Sequence, residues 1–383
     1  MTYAIIGSGI AGLYLGYKLK KLNKDFIIFE SQDYVGGRIK MFNFQGKDYV
    51  SGAGILTKEK DVIMTQLCKE LGIELKEYPH SIKYTFEDKS NLEDIFKILE
   101  NKKNYLKNRN SLTFKQFASN VLGKTEYNKF IKTFGYSDFE NADFVDTVDN
   151  YGFDEYLEGT LNYFVPWDKL ISKLYDLLKD NIELNSTVDK IIPNRNSFTL
   201  QINNNHYDKK FDKIVISTYV QTTKKLLNKL KIYDNIETQP FARLYVKLDK
   251  KISEDRFIIT DKPFQKIILM NQKENIYMIS YSDNDIAKQW LDFKHIKTTV
   301  EENIKKIFND EVEVLDFNLQ YWKYGTHFYL PLPSSFENRE SFIEEAQHPY
   351  QNIYVAGEMI SNRQGNCEGA VRSVEKLFEL DCF

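Results

Sequence analysis

Gly7, Gly9 and Gly12 follow the apolar run Tyr3-Ala4-Ile5-Ile6, and Glu30 closes a second apolar run, Phe26-Ile27-Ile28-Phe29. Residues of these types at this spacing bind phosphate rather than make or break bonds. Gly7 permits a tight turn at the end of a strand, Gly9 lets the backbone of Ser8-Gly9-Ile10-Ala11 approach a pyrophosphate, and Gly12 lets a helix pack closely on the sheet. A dinucleotide is the expected ligand. Glu30, about twenty residues beyond the turn, is placed to accept hydrogen bonds from the adenosine ribose hydroxyls, which a 2′-phosphate would oppose. NADP is disfavoured, and NAD and FAD both remain open.

These residues need a strand, a helix and a second strand to hold them. The pattern supplies all three, with Ala11, Leu15, Leu19 and Leu22 on one face of the predicted helix and Gly12 and Gly16 keeping its sheet side flat. The helix N-terminus adds partial positive charge and free N–H groups at the pyrophosphate position.

A second glycine segment follows the acid at once: Ser31-Gln32-Asp33-Tyr34-Val35-Gly36-Gly37-Arg38. It offers another close backbone approach and a guanidinium. Near the C-terminus stand Val355-Ala356-Gly357-Glu358 and Gly365-Asn366-Cys367-Glu368-Gly369-Ala370. Taken together, these segments resemble the glutathione-reductase-type flavoprotein superfamily and, within it, the flavin-containing amine oxidase family. The resemblance implies an α/β fold, with a Rossmann-like FAD-binding domain and an interleaved α+β substrate-binding domain. It implies noncovalent FAD, since no cysteine lies between Gly325 and Tyr329. Gly52-Ala53-Gly54-Ile55 is similar to the family segment beside the flavin ring, and Val188 to the strand at the adenine end. Gly357, Glu358, Asn366, Cys367 and Ala370 fall in the closing motif, where a helix N-terminus would face the flavin and stabilise negative charge on it.

The residues implied for chemistry depart from the family pattern. Relatives place a lysine on a substrate-domain strand, and Arg243 of Gln239-Pro240-Phe241-Ala242-Arg243 stands there, with Lys247 as the alternative four residues on. Arginine can hold a water or an anion but does not act as a base. The segment Trp322-Lys323-Tyr324-Gly325-Thr326-His327-Phe328 matches one side of an aromatic cage, with His327 or Phe328 at the ring position. Asn366 occupies the other side and would offer hydrogen bonds to a polar substrate. His327 is also a candidate acid or base. The expected activity is hydride transfer from a substrate C–H, next to nitrogen in an amine, with oxygen as acceptor and hydrogen peroxide as product. A redox-neutral flavoenzyme of the nucleotide-sugar mutase kind, or a flavoprotein with an inactive or regulatory site, is the alternative.

The 383 residues exceed one ordinary domain. The expected division is 1–75, 165–240 and 345–383 for FAD, with 76–164 and 241–344 for the substrate. The first substrate stretch has helical spacing around a Lys/Asn-rich break; the second alternates like a sheet, with a helix near 297–308. A hairpin is expected between Phe198 and Phe211. The acids Asp138, Glu140, Asp143, Asp146, Asp149, Asp154, Glu155 and Glu158 alternate with aromatic residues and no Lys or Arg; such a wall could steer a cationic amine, although a solvated helix face is the plainer reading. A net charge of −3 gives no case for nucleic acid, and three cysteines show no metal or disulfide spacing. The absence of a membrane-length apolar run or a cleavable leader suggests a soluble, cytoplasmic protein acting on a small molecule.

Overall fold

The computed structural model describes residues 1–105, 112–380 and 382. The chain divides into two compact units, one of residues 1–77, 163–237 and 327–383 and the other of 78–162 and 238–326. Residues 327–344, expected with the substrate half, thus belong to the first unit. The reason is packing: Tyr329, Phe342, Ile343 and Ala346 bury into the same cluster as Ala4, Ile6 and Phe29.

The first unit is built on a five-stranded parallel sheet, in the order Ile353–Val355, Lys213–Ile216, Thr2–Ile6, Asp25–Phe29, Ile182–Glu183. Alternation along the first strand sends Tyr3 and Ile5 to one face and Ala4 and Ile6 to the other, so each face carries its own core. Against Tyr3 and Ile5 pack the helices Ile10–Lys21, Trp167–Leu178 and Cys367–Glu379. Against Ala4 and Ile6 lies an antiparallel meander, Val188–Pro193, Phe198–Ile202 and Asn205–Phe211. Its expected hairpin turns on Asn203 and Asn204, both at positive φ, a pairing that suits the twist of the strands. In the helix Ile10–Lys21, Ala11, Leu15 and Leu19 are buried as the periodicity requires, whereas Leu22 is its C-cap and lies exposed. A Cβ on Gly12 would sit 2.0 Å from the Gly7 carbonyl oxygen, which is why no larger residue fits the crossing.

The second unit joins a six-stranded sheet to a helical cluster. The sheet order is Val314–Tyr329, Ile236–Leu248, Ile276–Asp283, Lys266–Asn271, Phe257–Ile259, Ile82–Tyr84, and the helix Ile296–Phe308 covers one face through Val300 and Ile304. The helices Leu92–Tyr105, Phe114–Leu122, Lys124–Phe134 and Phe144–Asn150 enclose a core rich in phenylalanine, including Phe114, Phe117, Phe130, Phe139 and Phe144. Part of the expected Lys/Asn-rich break, 106–111, lies outside the described residues. Most of the acidic stretch is spent inside this unit. Asp143 caps Phe144–Asn150, Glu140 accepts from Tyr127 and pairs with Lys115, Asp149 pairs with Lys103, and Glu158 accepts from the Ile82 N–H. These acids serve local structure, which argues against a steering wall.

Candidate active site

The dinucleotide turn begins where the first strand ends. Gly9 caps the helix Ile10–Lys21 in extended conformation, no side chain caps it, and no acid stands in its first turn. The N–H groups of that turn are thereby left for an outside acceptor. Gly36 donates its N–H to the Ser8 carbonyl at 2.9 Å and bridges Gly9, while Gly37 crosses close to the Gly9 Cα. The two glycine segments therefore form one surface. A Cβ built on Gly9 would meet no heavy atom within 4 Å, so the space in front of that backbone is open.

Glu30 is buried beside this surface. One carboxylate oxygen accepts from the Ser8 N–H and hydroxyl at 2.8 and 2.7 Å; the other accepts from the Gln32 N–H at 2.9 Å and the Ser31 hydroxyl at 3.2 Å. Two of these four donors are hydroxyls that rotate, the kind of contact a ribose diol can replace. The residues fit the adenosine half of FAD.

Half-buried Arg38 and buried Glu358 and His327 form a hydrogen-bonded group in the same unit. Arg38 Nη1 donates to Glu358 Oε1 at 2.6 Å, His327 Nδ1 meets the same oxygen, and the Gly365 N–H donates to Oε2 at 3.0 Å. Burial opposes the carboxylate charge, but the His327 and Arg38 donors override it and hold Glu358 well below the usual carboxylate range. Burial likewise works against Arg38, and Glu358 more than restores its charge. The Val220 N–H donates to His327 Nε2 at 3.2 Å, which puts the ring proton on Nδ1, facing Glu358. Both ring nitrogens are engaged. That arrangement holds the ring in one orientation between the Val220 N–H and Glu358. Phe328, next on the strand, points to the opposite face and is half-buried.

Asn366 also departs from expectation. Its side chain accepts from the Gly369 N–H at 2.8 Å and caps the helix Cys367–Glu379, which leaves only its NH2 to turn towards a ligand. Glu368, buried in the first turn of that helix, accepts from the N–H groups of Ile63 and Met64 and from Arg372. Ala370 is buried and Cys367 half-buried. In the small-residue segment, Gly52 backs onto the Arg38 carbonyl, Ala53 is buried, Ile55 is exposed, and the Gly54 carbonyl accepts from Trp167 Nε1 at 2.8 Å. Sequence reasoning did not find Trp167, although an indole N–H at a helix start is a donor in need of a partner. Val188 is buried at the start of its strand.

In the second unit, Arg243 is buried opposite Tyr281 in the strand pairing, with its guanidinium 4.7 Å from the Tyr281 ring centroid and 5.8 Å from that of Phe241. Burial lowers its affinity for a proton, but Tyr281 and Tyr245 outweigh that, so it stays charged and no base. Lys247 pairs with Glu274 at 3.5 Å, with both side chains partly in solvent, and drops out as the alternative. Trp322 is half-buried, its ring 6.5 Å from that of Phe241. Beside Arg243 lies a cluster with no linear signature. Lys266 Nζ donates to the Tyr136 hydroxyl at 2.6 Å and sits 3.9 Å from the Tyr136 ring centroid and 5.6 Å from that of Tyr156. Burial draws Lys266 down to about 7 against the pull of Asp138. Asp138 is raised by burial and by Asp283, and Asp283 by burial. Burial and Lys266 press His80 down to about 3, and neither of its ring nitrogens has a partner among the described residues.

Among the described residues there is no grouping of His, Cys, Asp and Glu able to hold a metal ion, and no helix long and apolar enough to cross a membrane. A 73-residue stretch is 37% identical to a Drosophila melanogaster protein named "Possible lysine-specific histone demethylase 1", covering 18% of this chain and 8% of that protein. The chain thus matches less than a tenth of that relative's length. Across the whole chain the fold is that of an engineered putrescine oxidase, with a TM-score of 0.79 at 14% identity and coverage of 100% and 99%. A "Putative protoporphyrinogen oxidase" from Exiguobacterium sp. 255-15 gives a TM-score of 0.73 at 13% identity, over 99% of each chain. The family model described as flavin containing amine oxidoreductase matches residues 10–374. The match over residues 10–374, on a fold with two crossing glycine segments and a buried Glu30, shows that the chain belongs to the flavin-containing amine oxidoreductase family.

Proposed function

We propose that the protein is an amine-oxidase-type flavoenzyme, with FAD held noncovalently by the first unit and the substrate received by the second. Bound there, FAD would supply a two-electron acceptor for the hydride of a substrate C–H next to nitrogen, with oxygen and two protons giving hydrogen peroxide on re-oxidation. The observation that carries this reading is the single surface made by Gly7-Ser8-Gly9 and Gly36-Gly37, with an uncapped helix end behind it.

On this reading Gly7, Gly9, Ile10, Ala11 and Gly12 present backbone to the pyrophosphate, and Glu30 with Ser31 holds the ribose. Gly36, Gly37 and Arg38 would close over the dinucleotide, and Glu358 keeps the Arg38 guanidinium in position. Gly52, Ala53, Gly54 and Ile55 would run beside the ring system, Val188 at the adenine end, and Gly357, Asn366, Cys367 and Ala370 at the helix end. Arg243 orients a water or a substrate anion without taking a proton. Trp322 and Phe328 supply aromatic surface. Membership in an oxidoreductase family weighs against the redox-neutral alternative.

The test is anaerobic. Purified yellow protein is titrated with amines, polyamines and amino acids, and peroxide is measured after air is readmitted. Bleaching followed by peroxide supports the oxidase; bleaching that air does not reverse points to another acceptor, and yellow protein bleached by none of them overturns the reading.

A further inference from the structure

Tyr219 stands where the two glycine segments of the first unit come together. The strand Lys213–Ile216 ends beside the dinucleotide turn: Ser217 donates its N–H to the Ile6 carbonyl at 2.8 Å, and a Cβ on Gly7 would meet the Ser217 carbonyl oxygen at 2.3 Å and Thr218 Cγ2 at 3.4 Å. Tyr219 follows at once. Its ring centroid lies 5.6 Å from the Arg38 guanidinium and 6.3 Å from the His327 ring. The side chain thus reaches from the first glycine turn to the arginine that ends the second. Tyr219 is half-buried, and a Cβ on Gly9 would meet no heavy atom within 4 Å, so both the tyrosine and the turn beside it are open to a ligand.

Formal charge at this point gives an anion little. Arg38 is already matched by Glu358 at 2.6 Å, and buried Glu30 adds a second carboxylate against Ser8. A dianionic diphosphate laid on Gly7-Ser8-Gly9 therefore meets two carboxylates and one guanidinium, and must be held by donors that carry no formal charge. The backbone N–H groups of the uncapped helix end are such donors. A tyrosine hydroxyl is another, and its hydrogen rotates to suit its acceptor. Burial holds the Tyr219 hydroxyl above its ordinary pKa, Arg38 opposes the rise, and Glu30 and Glu358 add to it, so the group keeps its proton at neutral pH. Its ring also gives the Arg38 guanidinium an apolar face to lie against.

We infer that Tyr219 is a cofactor-binding residue, with its hydroxyl donating to the diphosphate of FAD and its ring seating the Arg38 guanidinium. The identity of the ligand rests on the FAD reading above; the diphosphate contact does not.

Titration of the flavin-stripped full chain with FAD, ADP and riboflavin, followed by calorimetry, separates the two. ADP carries the diphosphate without the flavin, and riboflavin the flavin without the diphosphate. Tyr219→Phe keeps the ring and is expected to weaken FAD and ADP by about three- to tenfold each, and to leave riboflavin unchanged. Tyr219→Leu, the second variant, loses the seat of Arg38 as well and should weaken both further. FAD and ADP affinities that Tyr219→Phe leaves intact overturn the contact, and so does an equal loss for riboflavin. If ADP binds in a Tyr219-dependent way and the wild-type chain takes up no FAD, the contact stands and the FAD reading falls. If FAD binds equally well to the wild-type chain and Tyr219→Phe, the reverse holds, and a wild-type chain that binds neither FAD nor ADP overturns both.

Discussion

Two groups of buried charge invite comparison. In the first unit, Arg38, Glu358 and His327 share short hydrogen bonds, and the charged forms of Arg38 and Glu358 are reinforced. In the second, buried Lys266 and Asp283 and half-buried Asp138 make fewer bonds, and each is drawn towards its neutral form. The difference lies in pairing rather than burial. A fully paired carboxylate keeps its charge over a wide pH range, which suits a resident cofactor, whereas an under-paired lysine changes its charge with its company, which suits a transient guest.

The comparison is broken most forcibly at Arg38. Arg38→Met leaves Glu358 buried with His327 and one backbone N–H, a loss of about 3–5 kcal/mol if the carboxylate stays charged. Chemical denaturation should show that loss, and the purified protein should carry little flavin by its visible absorbance. Flavin content and stability both unchanged would mean that the pair is not what seats the cofactor.

Lys266→Met should act in the opposite sense. Asp138 and Asp283 have folded pKa values above their unfolded ones, so their stabilisation is present below about pH 4 and is lost as pH rises through the folded values. Lys266 has a folded value lowered to about 7, so its cost is felt below that pH and relieved as pH climbs towards about 10.4. The second unit is therefore expected to be least stable around neutrality. Replacing the buried lysine with methionine removes that titration and should flatten the alkaline rise, read as unfolding midpoints between about pH 5 and about pH 9. A destabilised variant with an unchanged profile would show that Lys266 is as well paired as Arg38.

His327 sharpens the contrast further. His327→Leu leaves the Val220 N–H without its acceptor and removes a donor from Glu358, costing about 1–3 kcal/mol. Glutamine there should restore part of the loss, since it can both donate and accept. An enzyme whose activity collapses while stability and flavin content hold would return His327 to the chemistry. The smallest effect belongs to Lys247, whose half-exposed pair with Glu274 should contribute at most about 1 kcal/mol; Lys247→Ala tests that by thermal melting and should leave activity intact.

How much of this was visible in the sequence follows from distance along the chain. Gly7, Gly9, Gly12, Glu30 and the Gly36-Gly37-Arg38 turn were legible because their spacing is local and their backbone tasks admit few other residues. Arg38 and Glu358 were each found in a motif, but their pairing spans 320 residues and no pattern announces it. His327 was legible for its place, but its partner Val220, 107 residues away, was not. Lys266, His80 and Asp283 were missed altogether. Burial and lack of partners are properties of the packed chain, and a lone lysine in a strand reads as a surface residue. Residues 327–344 carry no local sign of their unit, because one long strand, Val314–Tyr329, runs on past the change of unit.

The length of the link between Arg38 and Glu358 also bears on how the protein is made. The glycine surface leaves the ribosome early, but the strand Ile353–Val355, Glu358 and the carboxylate of Glu368 that caps Val62–Glu70 leave it some 300 residues later. Until then Arg38 lacks its carboxylate partner and the sheet lacks its last parallel neighbour, so the nascent chain should bind FAD weakly and present an open strand edge to chaperones. On the proposed reading, cofactor capture would then wait for the last strand and helix to be made.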